Sequence, residues 1–162
     1  DQVTIRLGDG LQVLAPGEAK TAVIAGMGGR RIAAIVSARP DVVASLGRLI
    51  VQPNTEVSLV RRRLRSAGLY LVDERLVMDA GRWYTVLAWA PGQPERAWSD
   101  ADLAWGPLLR SRADPALVAF LAVERARVAG AVERAGDGAP MALVAELKGI
   151  ISELARLGGG TS

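Results

Sequence analysis

The 162-residue chain contains neither histidine nor cysteine. Their absence removes thiol nucleophiles, imidazole bases, every triad built on histidine and zinc sites of the usual ligand types. It also excludes a disulfide-rich secreted scaffold. Carboxylates, tyrosine, lysine and hydroxyls remain for moving a proton or holding a metal. The residues whose spacing suggests chemistry are instead glycines and side-chain amides. Gly8-Asp9-Gly10 follows one strand pattern, and Gly26-Met27-Gly28-Gly29 follows a second and opens a helix. Glycines let a ligand approach the backbone closely, and a helix N-terminus favours negative charge. Gln52-Pro53-Asn54 comes after a third strand, with two amides that can each donate and accept. Neither glycine cluster has Rossmann or P-loop spacing. Alone, Gly8-Asp9-Gly10 reads as a turn and Asn54 as a helix N-cap. At three successive strand ends they outline one pocket rim, because ligands of open α/β sheets sit beyond the carboxyl ends of the strands.

Net charge is +3, with 20 basic against 17 acidic residues, and only Lys20 and Lys148 among the basic ones are lysine. Arginine is the better partner for phosphate. The chain is also alanine-rich, with Asn54 its single asparagine, so skewed coding accounts for much of this bias. A mild positive charge permits an anionic partner without requiring one. Arg61, Arg62, Arg63 and Arg65 form a basic run in which Arg61 and Arg65 share a helix face. The run reads either as a solvated face or as a phosphate-contacting patch that Arg30 and Arg31 would extend toward the pocket rim. Trp83 and Tyr84 lie in a strand and read as core rather than as a base-stacking platform.

These groups must be held by elements legible in the pattern. Val3, Ile5 and Leu7 alternate with polar residues as in a strand. The run 21–25 reads as a strand buried on both faces, followed by a helix carrying Ile32, Ile35 and Val36. Arg48 to Val51 is a third strand. Pro53 or Asn54 then starts a helix that carries Val57, Val60 and Leu64 and stops at Gly68. Tyr70 to Val77 and Trp83 to Trp89 form a hairpin around Asp79-Ala80-Gly81. Strands alternating with helices imply an α/β fold with a parallel sheet, to which the hairpin adds an antiparallel element. Pro91-Gly92-Gln93-Pro94 breaks the composition, and the chain beyond it is helical. Leu117, Leu121, Val128 and Val132 share one helix face. After the turn at 136–140, Leu143, Leu147, Ile150, Leu154 and Leu157 make a heptad seam. The expected domains are therefore 1–91, α/β, and 92–162, an antiparallel, coiled-coil-like helical hairpin. The seam reads as structural, with a dimer interface as the alternative. No apolar run approaches the roughly 20 residues of a membrane span, and no signal peptide is visible. The start at Asp1-Gln2, without methionine, suggests a trimmed N-terminus.

The runs Leu7-Gly8-Asp9-Gly10-Leu11, Ile24-Ala25-Gly26-Met27-Gly28-Gly29, Leu49-Ile50-Val51-Gln52-Pro53-Asn54 and Gly81-Arg82-Trp83-Tyr84 resemble successive signatures of bacterial TrmK-type tRNA adenine-N1 methyltransferases. Trp105-Gly106-Pro107-Leu108 and the following helices resemble that family's C-terminal region. The resemblance implies a Rossmann-like class I methyltransferase sheet with a C-terminal helical domain. It implies S-adenosylmethionine as cofactor, N1 of adenine 22 in tRNA as the methylated atom, a cytoplasmic enzyme, and no metal. By motif position, Gly8, Asp9, Gly10 and Gly26 would hold the cofactor, with Asp9-Gly10 near its adenine ring. Gly26, Met27, Gly28 and Gly29 would hold the target base. Gln52 and Asn54 would flank that base, and Arg30, Arg31, Arg61 and Arg65 would meet the tRNA. Adenine N1 already carries a lone pair, so orienting residues rather than an acid–base pair would do the work. The chain departs from the family at Thr85, where a glutamate is common. The first two strands, with the main cofactor loop and the ribose-binding acid, would precede Asp1. The isolated chain is therefore expected to be inactive. The alternatives are a non-catalytic binding or assembly module of the same architecture, and a methyltransferase for small molecules or proteins.

Overall fold

A computed structural model describes residues 3–93 and 96–158. Strand β1 (Thr21–Gly28) leads through helices α1 (Gly29–Ala38) and α2 (Pro40–Ser45) to β2 (Arg48–Thr55). Helix α3 (Val57–Ser66) and the hairpin of β3 (Leu69–Asp79) and β4 (Arg82–Pro91) complete the sheet. The strand order is β1-β2-β4-β3, with β1 and β2 parallel and the other neighbours antiparallel. Asp79 pairs with Arg82, so the hairpin turns on Ala80 and Gly81, both at positive φ as this tight turn demands. Leu49 and Val51 of β2 and Leu87 and Trp89 of β4 are fully buried. Helix α1 packs Ile32 and Val36 into this core, α2 adds Val42 and Val43, and α3 adds Val60 and Leu64. Gly68, at φ +79, ends the α3 turn as the sequence suggests.

Several expectations are corrected. Val3, Ile5 and Leu7 form no strand and are 87%, 92% and 103% exposed. An alternating segment becomes a strand only when a neighbour takes up its hydrogen bonds, and no described strand pairs with it. The β1 strand is buried on one face alone: Ala22 and Ile24 point inward, while Val23 is 65% exposed. Gly26, Met27 and Gly28 lie inside β1 rather than after it, and Gln52, Pro53 and Asn54 lie inside β2. Pro53 is tolerated there because it stands opposite Met27, where the β1–β2 register slips, and beyond the stretch Leu49–Val51 that pairs with β4. Asn54 therefore caps no helix. That position falls to Glu56, in the left-handed region at φ 57.

The segment before β1 is tethered by charge. A 3₁₀ turn at Gly10–Val13 packs Leu11 into the core. Arg39 donates to the carbonyls of Leu14 at 3.0 Å and Gln12 at 3.3 Å and pairs with Asp41 at 2.8 Å. The bond from Arg39 holds the Asp41 carboxyl down at about 2, and the bond from Arg6 does the same for Glu18.

The chain divides into compact units Asp1–Ala104 and Trp105–Ser162, later than the expected boundary at 91/92. The break at 91–94 ends the sheet but not the unit. Arg65 donates to the carbonyl of Arg96 and stacks 4.8 Å over the Trp98 ring, and Trp98 lies 6.0 Å from Trp89. Pro94 of the expected break lies outside the described residues, as do Asp1 and Gln2. Helix α4 (Asp100–Trp105) begins with a capping box: Ser99 Oγ accepts from the Asp102 N–H, and the Asp102 carboxylate accepts from the Ser99 N–H.

The second unit holds α5 (Pro107–Ser111), α6 (Pro115–Ala135) and α7 (Met141–Gly158). Asp114 caps α6 by accepting from the Ala116 N–H, and Pro115 fills its first position. Leu117, Leu121 and Val128 of α6, and Ile150 and Leu157 of the α7 seam, are buried within the chain itself. Glu153, also buried, receives Arg110 at 2.9 and 3.0 Å and Arg156 at 2.9 Å, which ties α5 to α7. Burial pushes the Glu153 carboxyl up, but the two guanidiniums outweigh it and hold it below the usual carboxylate range.

Candidate functional site

Because β1 and β2 run parallel, their carboxyl ends meet at one edge of the sheet. The register slips on both sides of Met27, and Gly26 takes φ +73 at the slip. Apart from its chain neighbours, no atom of the described residues lies within 4 Å of where a Gly26 Cβ would stand, so the bulge is open. The Gly26 N–H donates to Gln52 Oε1 at 2.9 Å, and Gln52 Nε2 donates to Asn54 Oδ1 at 3.0 Å. Gln52 is half-buried and Asn54 exposed. The structure thus joins three of the expected site residues in one hydrogen-bonded chain.

Gly29 explains why that edge is tight. A methyl there would stand 2.8 Å from the carbonyl oxygens of both Thr55 and Glu56 and 3.0 Å from Val60, so α1 meets the start of α3 with no room for a side chain. Met27 and Gly28 are half-buried beside it. Arg30, mostly exposed, pairs with Glu56 at 2.8 Å, a partner no spacing rule would have chosen.

Gly8, Asp9 and Gly10 belong elsewhere. Val13 fills the space beside Gly8, and Ile35 fills that beside Gly10, so these glycines let the segment lie against its own chain. Asp9 instead lines a cleft of about 370 Å³ with Gln12, Arg31 and Ile35, and neither Gly26, Gln52 nor Asn54 lines that cleft. The residues lining the Asp9 cleft thus differ from those of the Gly26–Gln52–Asn54 chain, both lying on the first unit. The Asp9 cleft offers a carboxylate acceptor and the donors of Arg31 and Gln12 beside an apolar wall of Ala34, Ile35 and Ala38. A further cleft of about 340 Å³ lies between α1 and α3, with Arg30 and Arg63 on its walls beside Ser37 and Leu59.

The basic run divides sharply. Arg61 is 2% exposed and leaves the candidate surface. It pairs with the fully buried Glu74 at 3.2 Å and donates to the carbonyls of Leu103 at 2.8 Å and Ala104 at 3.1 Å. Burial lowers its pKa, against the pull of Glu74. Arg65 is half-occupied by Trp98 and the Arg96 carbonyl. Arg62 and Arg63 are exposed. Trp83 and Tyr84 are half-buried in β4, Arg82 lying 5.6 Å over the tyrosine ring. Thr85 pairs with Leu76 in the hairpin, and nothing in the structure explains its departure from the family residue.

Among the described residues no cluster of acids could hold a metal, and no helix is long and apolar enough to cross a membrane. What the edge can do is orient a planar, hydrogen-bonding ligand.

The mixed sheet, with β1 and β2 parallel and helices packed on it, is a Rossmann-like α/β fold of the kind seen in a solved methyltransferase structure. The family model for tRNA (adenine(22)-N(1))-methyltransferase, TrmK, matches residues 1–148, and the chain belongs to that family. A Bacillus subtilis (strain 168) protein named tRNA (adenine(22)-N(1))-methyltransferase is 37% identical over 107 residues, 66% of this chain and 45% of the relative. The chain thus spans about half the length of that relative. Among solved structures, Streptococcus pneumoniae Sp1610 in complex with S-adenosyl-L-methionine is 31% identical with a TM-score of 0.80, over 92% of this chain and 67% of that one. The B. subtilis m1A22 tRNA methyltransferase TrmK is 28% identical with a TM-score of 0.73, over 96% of this chain and 69% of that one.

Proposed function

We propose that this chain provides the base-binding edge, and part of the cofactor-binding surface, of an enzyme that methylates N1 of adenine 22 in tRNA. The observation that carries the reading is the Gly26–Gln52–Asn54 chain at the carboxyl ends of β1 and β2, within a segment that belongs to the TrmK family. Adenine N1 holds its reactive lone pair in the plane of the ring, so attack needs orientation and no prior deprotonation. Asn54 grips the base edge with Gln52 flanking it, and the open bulge at Gly26 gives the base room. Gly29 fixes the edge by locking α1 against α3. The Asp9 cleft fits the adenine of S-adenosylmethionine, with Asp9 accepting from the amino group and Ile35 meeting the ring. Bound S-adenosylmethionine supplies an electrophilic methyl group. The exposed Arg31, Arg62 and Arg63 meet the tRNA backbone, with Arg30 and Arg65 beside them and the helical hairpin as a second surface. An enzyme acting on tRNA in this way works in the cytoplasm.

The test is a chimaera in which residues of this chain replace the matching stretch of the B. subtilis relative. Methyl transfer to a transcribed tRNA with adenine at position 22, lost when that base is guanine, is the expected result. A folded chimaera that binds S-adenosylhomocysteine but leaves the tRNA unlabelled refutes the reading and favours a non-catalytic binding module.

A further inference from the structure

We propose that Gln52 is a positioning residue that fixes Asn54 as a hydrogen-bond donor toward the base, so that the site holds the adenine through a purine ring nitrogen other than N1. The inference rests on the base-site reading above and deepens it.

The argument runs from the backbone outward. A peptide N–H can only donate, so the bond from Gly26 obliges Gln52 to present its oxygen, Oε1, at 2.9 Å. The Gln52 amide is thereby oriented, and its NH₂ must point the other way. That NH₂ meets Asn54 at 3.0 Å, and a donor there obliges Asn54 to answer with Oδ1. Asn54 is left to present its own NH₂ to solvent, where the residue is exposed. Free in rotation, an asparagine amide would serve a donor or an acceptor equally. Here the polarity is set at Gly26, whose bulge turns its N–H toward the side chain. The acceptors on adenine are N1, N3 and N7. N1 must stay free for the methyl group, and the exocyclic amino group can only repel a second NH₂. The contact therefore falls on N7 or N3, two positions with one chemistry.

Asn54 is the chain's only asparagine, so the intact chain labelled with ¹⁵N-asparagine and ¹⁵N-glycine shows a single asparagine side-chain NH₂ pair beside the glycine amides. In the free protein, Gln52→Ala is expected to move that pair. Gln52→Glu keeps an acceptor for the Gly26 N–H but has no NH₂ for Asn54. It is expected to move the pair in a different direction while the Gly26 amide signal stays in place, as Asn54 turns to donate to the introduced carboxylate. Adenosine is then titrated into the labelled chain beside 7-deazaadenosine and 3-deazaadenosine. The pair is expected to shift with adenosine and with one analogue, while the other analogue binds about tenfold more weakly and leaves it still. Asn54→Asp, which cannot donate, is expected to abolish the preference between the analogues. A pair unmoved by both Gln52 variants overturns the relay. Equal shifts with all three nucleosides, or none with any, overturn the donor assignment. A chimaera that fails to methylate tRNA while these shifts hold refutes the methyl-transfer reading alone.

Discussion

Arg61 offers the sharpest test of how this fold is held. Its guanidinium and the Glu74 carboxylate are 2% and 0% exposed, and the same guanidinium closes off the carbonyls of Leu103 and Ala104. Arg61→Ala leaves a buried charge without its counterion, a loss of about 3–5 kcal/mol. Uncovering the two carbonyls adds about 1 kcal/mol. A total of about 5 kcal/mol is a large part of the roughly 5–15 kcal/mol that stabilises a domain. With a urea slope of about 2 kcal/mol per molar, the midpoint falls by about 2.5 M. Fluorescence of the buried Trp89 follows the transition. The double replacement Arg61→Met with Glu74→Leu removes both charges and is expected to regain most of the loss, leaving about 1 kcal/mol for the two carbonyls. A cost for Arg61→Ala below about 1 kcal/mol, or single costs that simply add in the double variant, refutes the reasoning.

The other expectations are briefer. Gly29→Ala forces a methyl against two backbone oxygens and is expected to cost about 1–3 kcal/mol in thermal unfolding, whereas Gly149→Ala in α7, with open space around it, gains about 1 kcal/mol. Glu153→Ala removes the acceptor that Arg110 and Arg156 share and is expected to destabilise the helical unit by about 3 kcal/mol, read from ellipticity on melting. Glu18 and Asp41 have lowered pKa values, so the stability they lend is present above about pH 4.5 and is lost as pH falls toward about 2. Carboxyl ¹³C shifts should place both midpoints near 2, and midpoints near 4 would deny those pairs. Arg62→Ala with Arg63→Ala is expected to weaken tRNA binding about tenfold and to flatten its salt dependence by about two charges, measured by anisotropy across a salt series.

The alternation of strand and helix, the hairpin turn and the helical pair were legible because each rests on local periodicity. Arg61 was not. In sequence it is one of four near-adjacent arginines, and its burial is decided by Glu74, thirteen residues away, and by carbonyls more than forty residues away. Asn54 misread as a cap because Pro53 normally opens a helix, whereas the slipped register opposite Met27 lets the strand run on through it. The side-chain amides were legible as a pair but not as a relay, since only the fold brings the Gly26 N–H to Gln52. Helix α2 gave little signal in six residues, and its place is set by Arg39 and two buried valines.

The outer side of β1 carries a cost for whoever handles this chain. Thr21–Gly28 holds no charged residue and stands at the end of the strand order, with Val23 exposed and the apolar Val3, Ile5 and Leu7 nearby in sequence. Strand margins are ordinarily blunted by lysine, proline or a covering element, because bare peptide groups template the addition of another chain. A bulge at Gly26 blunts only the far end of this one. Among the described residues no strand covers this margin, so concentrated solutions of the 162-residue chain by itself are expected to associate there, and Val23→Lys is expected to suppress that association.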